Sequence, residues 1–281
     1  MSTTPGIDVS RWQGEINWEM VAAAGYRFAV IRATIGNYYT DPRFYENWNG
    51  ARGAGLLVSA YHVATPEHSA GSQIDRLFDV LGERKADLPL VLDVELSREI
   101  SPTGITACVR DCVQKVERQD DRKPIIYTAG WFWNHQVLES PGWSEHDLWV
   151  AHYGVSAPTL PTGWDEWQFW QHSDKGRVPG IAAETDLNQF NGSYDDLLAY
   201  ANTEPEPRPE PQPSAGLRAR VTASRLNVRS GPGVNYSDVG DLHAGDVVGV
   251  VSLDGEDVWV EFEPGKWAAL VFHGTRYMEL E

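Results

Sequence analysis

The sequence predicts a protein of the α/β class, an irregular (β/α) barrel followed by a small all-β barrel. Three observations lead to this prediction. Short apolar segments alternate with helical patterns through residues 1–202, which is typical of a mostly parallel sheet. A run of alternating prolines occupies residues 203–216. The segments after it are short, rich in valine and punctuated by glycine and proline, which is typical of small all-β barrels.

Eight strands and five helices are predicted in the first 202 residues, each from the spacing of its apolar positions. The strands are predicted at residues 6–9, 28–33, 57–62, 90–94, 125–128, 148–151, 167–171 and 185–189. The helices are predicted at residues 18–24, 42–53, 69–81, 105–119 and 132–138. Eight strands favour a TIM-like barrel, in which active sites lie at the C-terminal strand ends. Because the later connections lack clear helical patterns, we expect the barrel to be irregular.

The proline-rich stretch divides the chain into a first domain (1–202), a linker (203–216) and a second domain (217–281). Between Pro205 and Pro213 every second residue is proline, which favours a stiff, extended chain over a packed one. In the second domain the predicted strands are residues 225–229, 247–252, 258–262 and 267–271.

Charge and composition exclude several classes of function. The net charge of −17 disfavours nucleic acids and anionic membrane surfaces as partners. No apolar run approaches the length of a membrane span, and the residues after Met1 lack a signal-peptide pattern, so we expect a protein made in the cytosol without membrane insertion. Cys108 and Cys112 are predicted to be buried free thiols, because their i, i+4 spacing is poor for a disulfide. No metal or other cofactor is expected, and nothing suggests more than a monomer.

The segment Leu90-Val91-Leu92-Asp93-Val94-Glu95 is typical of a buried strand that ends in two carboxylates. Side chains at i and i+2 of a strand point the same way, so Asp93 and Glu95 should face one space, with Cα atoms about 6.6 Å apart. Glycosidic bond cleavage requires such a pair, one proton donor and one anionic partner. A pair of surface acids at a strand end is the alternative. Further polar residues at predicted strand ends favour a cleft for a polar substrate: Asp8, Arg32, Tyr61, His62, Tyr127, His152, Gln171 and Asp186.

Ordered motifs through the first domain resemble those of the glycoside hydrolase family 25 lysozymes, which are N-acetylmuramidases. The resemblance covers nearly all of that domain, and its strength lies in the order of the set. The motifs are Gly6-Ile7-Asp8-Val9-Ser10, Phe28-Ala29-Val30-Ile31-Arg32, Ala60-Tyr61-His62, Leu90 to Glu95, Pro124-Ile125-Ile126-Tyr127-Thr128, Leu148-Trp149-Val150-Ala151-His152-Tyr153, Trp167-Gln168-Phe169-Trp170-Gln171-His172 and Thr185-Asp186-Leu187-Asn188-Gln189-Phe190.

The resemblance implies a role for each of four acids. Glu95 matches the family's general acid, and Asp93 matches the second acid of the pair. Asp8 and Asp186 match acids that line the same pocket. For the second step the resemblance leaves two routes open, attack by an aspartate or attack by the substrate's own acetamido oxygen, and both retain the configuration of the sugar.

The resemblance also implies which residues contact the sugar. Tyr61, Tyr127 and Trp131 match positions that line the sugar-binding groove, and packing at the barrel mouth is their alternative role. Arg32 is included among the predicted substrate-binding residues. It opens the segment Arg32-Ala33-Thr34-Ile35-Gly36, where the family often has Lys-Ala-Thr-Glu-Gly, and this departure affects the expected sugar contacts.

Residues 217–281 resemble bacterial SH3-type domains through the segment from Leu226 to Tyr236, which contains the predicted turn Gly231-Pro232-Gly233. Such domains commonly bind peptidoglycan, and tethering one to an enzyme raises the local enzyme concentration at an insoluble substrate. We therefore expect a two-domain muramidase acting on bacterial peptidoglycan. The layout without a signal peptide resembles a bacteriophage endolysin, held in the host bacterial cytoplasm until its release to the cell wall. A bacterial autolysin, a non-catalytic wall-binding protein and a chitin-cleaving enzyme are the alternatives.

Overall fold

The computed structural model describes residues 2–138, 142–201, 218–231, 233–234, 236–249, 252–254, 259–263, 266–272 and 275–280. The chain divides into two compact units, Met1–Glu206 and Pro207–Glu281. The predicted linker at residues 203–216 and the proline of the predicted turn, Pro232, lie outside the described residues.

Eight strands of the first unit close into a barrel. Around the barrel the order is β1, β2, β4, β5, β6, β7, β8 and β9, and β9 pairs with β1 to close the ring, while β3 pairs with β2 alone. The mixed α/β barrel predicted from the sequence is therefore confirmed. The strands are β1 (Thr4–Val9), β2 (Phe28–Ile35), β3 (Tyr39–Thr40), β4 (Leu57–Val63), β5 (Val91–Asp93), β6 (Ile125–Ala129), β7 (Leu148–Ala151), β8 (Phe169–Gly176) and β9 (Thr185–Phe190).

Within the described residues, six α-helices pack outside the barrel or at its end, and five of them match predictions. The sixth, α6, was not predicted, although Ser193 and Asp196 form a reciprocal hydrogen-bonded cap at its start. The helices are α1 (Trp18–Ala23), α2 (Phe44–Gly53), α3 (Ala70–Leu81), α4 (Pro102–Asp120), α5 (Gly130–Gln136) and α6 (Tyr194–Ala201).

The barrel is irregular in its last third, as predicted. Residues 152–168, between β7 and β8, contain no helix, and β8 connects to β9 as an antiparallel pair. Strand β9 is also antiparallel to β1, whereas the other barrel strands run parallel to their neighbours. Asp186 therefore lies near the beginning of its strand rather than at the end. The reversed direction of β9 brings it to the same edge as the C-terminal ends of the parallel strands.

Aromatic side chains fill the N-terminal half of the barrel. Phe28 and Phe169 begin their strands and Phe190 ends its own, and the rings of Phe28 and Phe190 each lie 5.3 Å from the ring of Phe169. Tyr200 of α6 packs on Phe169 and Phe190, with centroid distances of 5.9 and 5.5 Å. This packing closes the barrel at its N-terminal end, so the interior is open at the edge that carries the predicted site residues.

A second apolar layer lies between the barrel and its surrounding helices. Cys108 and Cys112 lie in this layer as buried free thiols. His62 is also buried here, between Thr34 Oγ1 at 2.7 Å and Gln73 Oε1 at 3.0 Å, and burial lowers its pKa to about 4. None of the helices in the described ranges is long and apolar enough to cross a lipid bilayer. Among these same residues no group of three His, Cys, Asp or Glu side chains is arranged to hold a metal ion.

The described part of the second unit consists of short antiparallel strands without a helix. They form three sheets over two small apolar clusters, one around Val260 and one around Trp259 and Trp267. The strands are β10 (Arg218–Val221), β11 (Arg225–Arg229), β12 (Asp238–His243), β13 (Val247–Gly249), β14 (Ser252–Asp254), β15 (Trp259–Glu263), β16 (Lys266–Ala269), β17 (Val271–Phe272), β18 (Thr275–Arg276) and β19 (Met278–Leu280).

Close packing of β1 on the aromatic core gives a stability prediction. A Cβ atom on Gly6 would overlap the fully buried ring of Phe28, so we expect Gly6→Ala to lower the free energy of unfolding by about 1–3 kcal/mol. Gly53 is the control, since a Cβ there meets no atom within 4 Å and Gly53→Ala should raise stability by about 0.4–1 kcal/mol. Urea unfolding measures both, and equal effects of the two substitutions would contradict the described packing.

Candidate active site

A cavity of about 190 Å³ opens at the C-terminal edge of the barrel. It brings together all four acids predicted from the sequence and two of the predicted sugar-binding tyrosines. Trp149 and Tyr153 also line it, although sequence reasoning did not include them among the site residues. The lining residues are Asp8, Tyr61, Asp93, Glu95, Tyr127, Trp149, Tyr153, Gln171 and Asp186.

The register of the barrel strands sets these side chains side by side. Asp93 pairs with Tyr127 across β5 and β6, and Tyr127 pairs with Trp149 across β6 and β7. Across the antiparallel β1–β9 pair, Asp8 lies directly opposite Asp186. Like charges directly opposite each other destabilise a sheet, so this pairing requires compensation from hydrogen bonds and from proton uptake.

A chain of hydrogen bonds fixes Asp8 as an acceptor. The indole N–H of Trp149 donates to Asn188 Oδ1 at 2.8 Å, and Asn188 Nδ2 donates to Asp8 Oδ2 at 2.8 Å. An indole nitrogen can only donate, so the amide oxygen of Asn188 must face Trp149 and its NH₂ group must face Asp8. Oδ2 of Asp8 therefore carries no proton in this arrangement.

A second chain reaches the same oxygen from Gln171. The phenolic hydroxyls of Tyr127 and Tyr153 both donate to Gln171 Oε1, at 2.8 and 2.6 Å. Gln171 Nε2 then donates to Asp8 Oδ2 at 2.8 Å. The sequence singled out Gln171 as a strand-end residue but not as a partner of Asp8, and it gave no signal for Asn188, whose role depends on the register of β9.

The surroundings of Asp8 and Asp186 raise the pKa of both carboxyl groups. Burial raises the pKa of Asp8, and hydrogen bonds from Asn188, Gln171 and Asp186 oppose that rise. Burial, followed by the charge of Asp8 and the hydrogen bond to it, raises the pKa of Asp186 to about 8. The proton of the pair therefore lies on Asp186, which donates to the Asp8 carboxylate.

The Asp93–Glu95 pair lies where β5 ends. Asp93 is the last residue of β5, and the backbone beyond it is held by hydrogen bonds between Val94 and Tyr127 and from Thr128 Oγ1. Asp93 is buried, and its Oδ1 has no hydrogen-bond partner among the described residues. Glu95 is exposed at the mouth. The two side chains line one cavity, as the strand pattern predicted.

The environment raises the pKa of both members of this pair. Burial raises the pKa of Asp93 well above its usual value, with further rises from the charges of Glu95 and Asp8. Desolvation by the surrounding protein, followed by the charge of Asp8, raises the pKa of Glu95. Glu95 thus has the two properties of a general acid, a tendency to keep its proton and access to a substrate.

The two remaining predicted substrate-binding residues are not part of the cavity lining. Arg32 lies behind it, where Nε and Nη2 both contact the buried Asp41 Oδ2 at 2.8 Å. Its charge nevertheless lowers the pKa of Asp93. Trp131 lies in the first turn of α5 with 70% of its surface exposed. The pairing with Asp41 involves Nε and Nη2, whereas a guanidinium has five N–H donors. Contacts of Arg32 and Trp131 with substrate therefore stay predictions.

Comparison with known proteins identifies the family of the chain. Residues 7–181 match the model of Glycosyl hydrolases family 25. The chain belongs to this family. It is 42% identical over 218 residues to Lysozyme M1 of Streptomyces globisporus, covering 72% of each protein. The crystal structure of a bacterial lysozyme from Streptomyces coelicolor superimposes with a TM-score of 0.68 at 40% identity, covering 72% of this chain and 98% of that one.

A fungal relative extends the family assignment beyond bacteria. The N,O-diacetylmuramidase of Chalaropsis sp is 30% identical over 210 residues, which cover 69% of this chain and 97% of the relative. The protein is therefore an enzyme, a hydrolase of the family 25 lysozymes and muramidases that act on peptidoglycan.

The raised pKa of Asp186 predicts that stability falls with rising pH. The folded protein keeps this proton up to about pH 8, whereas the unfolded chain releases it near pH 3.9. The folded state therefore binds more protons between these values, and the free energy of unfolding decreases as pH rises through this window. We expect Asp186→Asn to flatten the decrease, as measured by urea unfolding at pH 5 and pH 9. Asp165→Asn, a substitution of an exposed aspartate, is the control. If the free energy of unfolding depended on pH in Asp186→Asn as it does in the wild type, the proton would not lie on Asp186.

Proposed function

We propose that this protein hydrolyses the β-1,4 bond between N-acetylmuramic acid and N-acetylglucosamine in peptidoglycan, with Glu95 as the proton donor. The observation that most strongly supports this proposal is the set of four carboxyl groups in one cavity. Among them Asp8 accepts hydrogen bonds, and Glu95 is an acid with a raised pKa at the mouth. The names of its relatives, lysozyme and muramidase, support this choice of substrate.

In the first step Glu95 gives its proton to the glycosidic oxygen as the bond to the anomeric carbon breaks. Asp93 Oδ1 is buried and lacks a hydrogen-bond partner in the described part of the chain, so it can accept the N–H of the substrate's 2-acetamido group. The acetamido oxygen then bonds to the anomeric carbon. A water molecule then attacks the anomeric carbon and displaces the acetamido oxygen, while one proton of the water passes to Glu95. The two successive displacements retain the configuration of the sugar.

The ionised Asp8 stabilises the positive charge that develops on the sugar ring. Its two amide donors are already in place before the substrate binds, so no reorganisation is needed in the transition state. The neutral Asp186 beside it limits the repulsion among the carboxylates, since adjacent like charges favour proton uptake.

The second unit is proposed to be an SH3-type wall-binding domain, joined to the catalytic barrel by the proline-rich linker. Its short antiparallel strands and its small tryptophan-containing core support this proposal. We further propose that the whole chain is a phage endolysin that reaches the wall from the host cytoplasm. A bacterial autolysin with the same activity is the second candidate, and the names of the bacterial relatives favour it.

Substitution of Glu95 tests the catalytic proposal. Glu95→Gln removes the transferable proton while keeping the shape of the side chain, so we expect the release of reducing ends from purified peptidoglycan to fall at least about 100-fold. Glu99→Gln is the matched control, an exposed acid four residues along the same loop, and it should keep full activity. Retained activity in Glu95→Gln would reject the role of Glu95.

The same assay also tests the proposed bond. Borohydride reduction labels the newly exposed sugar, and N-acetylmuramic acid ends are expected. A wild-type protein that sediments with cell walls without releasing any reducing end would instead be a wall-binding protein.

Removal of the second unit separates binding from catalysis. A protein ending at Glu206 is expected to sediment with cell walls at least about tenfold less and to lose activity on intact walls, because the gain in local concentration is lost. Its activity on soluble glycan fragments should stay within about twofold of that of the full chain. Unchanged sedimentation with cell walls would show that the second unit does not bind them.

A further inference from the structure

An exposed arginine, Arg11, follows β1, the strand that carries Asp8 into the cavity lining. Arg11 begins a 3-10 turn, Arg11–Gln13, three residues after Asp8. The turn is held by a hydrogen bond of 2.8 Å from the backbone N–H of Ser10 to Gln13 Oε1. The backbone N–H of Arg11 also donates to Asp41 Oδ2 at 3.1 Å. The backbone that carries this arginine is therefore fixed to β1 and to the segment after β3.

The guanidinium of Arg11 packs on aromatic rings. Its Cζ lies 4.4 Å from the ring centroid of Trp12 and 5.6 Å from that of Tyr39. Stacking of this kind restricts the guanidinium while leaving its N–H edge available for a planar anion. Arg11 is exposed and forms no ion pair with any carboxylate in the described ranges of the chain, so its charge is available to a ligand.

A continuous set of contacts connects Arg11 with the cavity wall. The ring of Tyr39 lies 5.7 Å from Cζ of Arg32 as well as close to Arg11. Arg32 pairs in register with Tyr61, which lines the cavity, and its charge acts on Tyr61 and on Asp93. Asp41 already forms an ion pair with Arg32, whereas Arg11, on the same Tyr39 ring, forms no ion pair with a carboxylate of the described residues.

The cavity lining contains the ionised Asp8 and, among the described residues, no basic side chain, so it repels an anionic substrate. Muramyl glycans are anionic, since muramic acid carries a lactyl carboxyl group, either free or extended by an acidic stem peptide. Chitin has the same β-1,4-linked N-acetylglucosamine backbone without this carboxyl group. A cation at the rim therefore distinguishes the two polymers.

We propose that Arg11 binds a carboxylate of the muramyl residue, the lactyl carboxylate or a carboxylate of the stem peptide, and thereby determines the preference for muramyl glycans over chitin. This inference rests on the proposed function and specifies how that site recognises its substrate. Trp12 and Tyr39 orient the guanidinium.

Calorimetric titration of the Glu95→Gln protein, in which the glycan stays intact, tests this role. The probes are stem-stripped muramyl glycan fragments, the same fragments with their carboxyl groups reduced to alcohols, and stem-bearing fragments. Addition of Arg11→Gln should weaken binding of a carboxylate-bearing probe by about 3- to 10-fold, the range for an exposed charge-assisted hydrogen bond. Binding of the reduced probe should not change. Arg11→Lys should restore only part of the loss, because lysine lacks the planar donor edge.

The control is Arg118→Gln, which removes the same charge from the last turn of α4, at the opposite edge of the barrel. It should leave all affinities unchanged. Weaker binding of stem-stripped glycan after Arg11→Gln would identify the lactyl carboxylate as the group that Arg11 binds. Weaker binding of stem-bearing glycan alone would identify a carboxylate of the stem peptide. Equal affinities with and without Arg11→Gln for every probe, or no binding of any probe, would overturn the inference.

Kinetics of the otherwise unaltered enzyme separate this inference from the proposed function. Arg11→Gln should raise KM for the carboxylate-bearing glycan about 3- to 10-fold with kcat within about twofold, as expected when ground-state and transition-state binding are lost equally. A wild-type protein that cleaves the glycan while Arg11→Gln has the same KM rejects the role of Arg11 alone. A wild-type protein that binds the probes through Arg11 without cleaving them rejects the proposed function alone.

Discussion

The hydrogen bond from the Trp149 indole to Asn188 determines the difference in protonation between Asp8 and Asp186 in the cavity. Because an indole N–H can only donate, it fixes the orientation of the Asn188 amide and makes Asp8 Oδ2 an acceptor. Gln171 delivers a second donor to the same atom. With Asp8 held in this state, the proton of the Asp8–Asp186 pair lies on Asp186. The difference in protonation between these two acids thus depends on Trp149, an uncharged residue.

The barrel supports this arrangement by separating its packed and polar halves. Phenylalanine rings and α6 fill the N-terminal end, and the carboxyl groups with their hydrogen-bond partners occupy the C-terminal edge. Clustered acids destabilise a fold unless they are hydrogen-bonded or protonated, and both forms of compensation occur here. The desolvation that raises the pKa of Asp93 and Glu95 therefore connects the stability of the protein with its chemistry.

Local sequence patterns predicted the barrel strands, five helices and the four acids, because each depends on periodicity or on a short motif. The relay to Asp8 could not be predicted, since Trp149, Gln171 and Asn188 meet only through the register of β7, β8 and the reversed β9. Arg32 shows the same limit. Its place near the end of a predicted strand made it a candidate site residue, but its ion pair with Asp41 could not be predicted, because Asp41 follows the short strand β3, which the apolar pattern did not reveal. Helix α6 was not predicted, because it is short and the clearest local indication of it is the cap formed by Ser193 and Asp196.

The protonation states of the four carboxyl groups show directly whether Asp8 is the acceptor and Asp186 the proton carrier of their pair. Carbon-13 NMR of side-chain carboxyl groups, assigned by single Asp→Asn and Glu→Gln variants, reports each state as a function of pH. At pH 6 we expect an ionised Asp8 beside a protonated Asp186, with Asp186 losing its proton near pH 8. An Asp186 that titrates near pH 4, or an Asp8 that carries the proton of the pair, would contradict it.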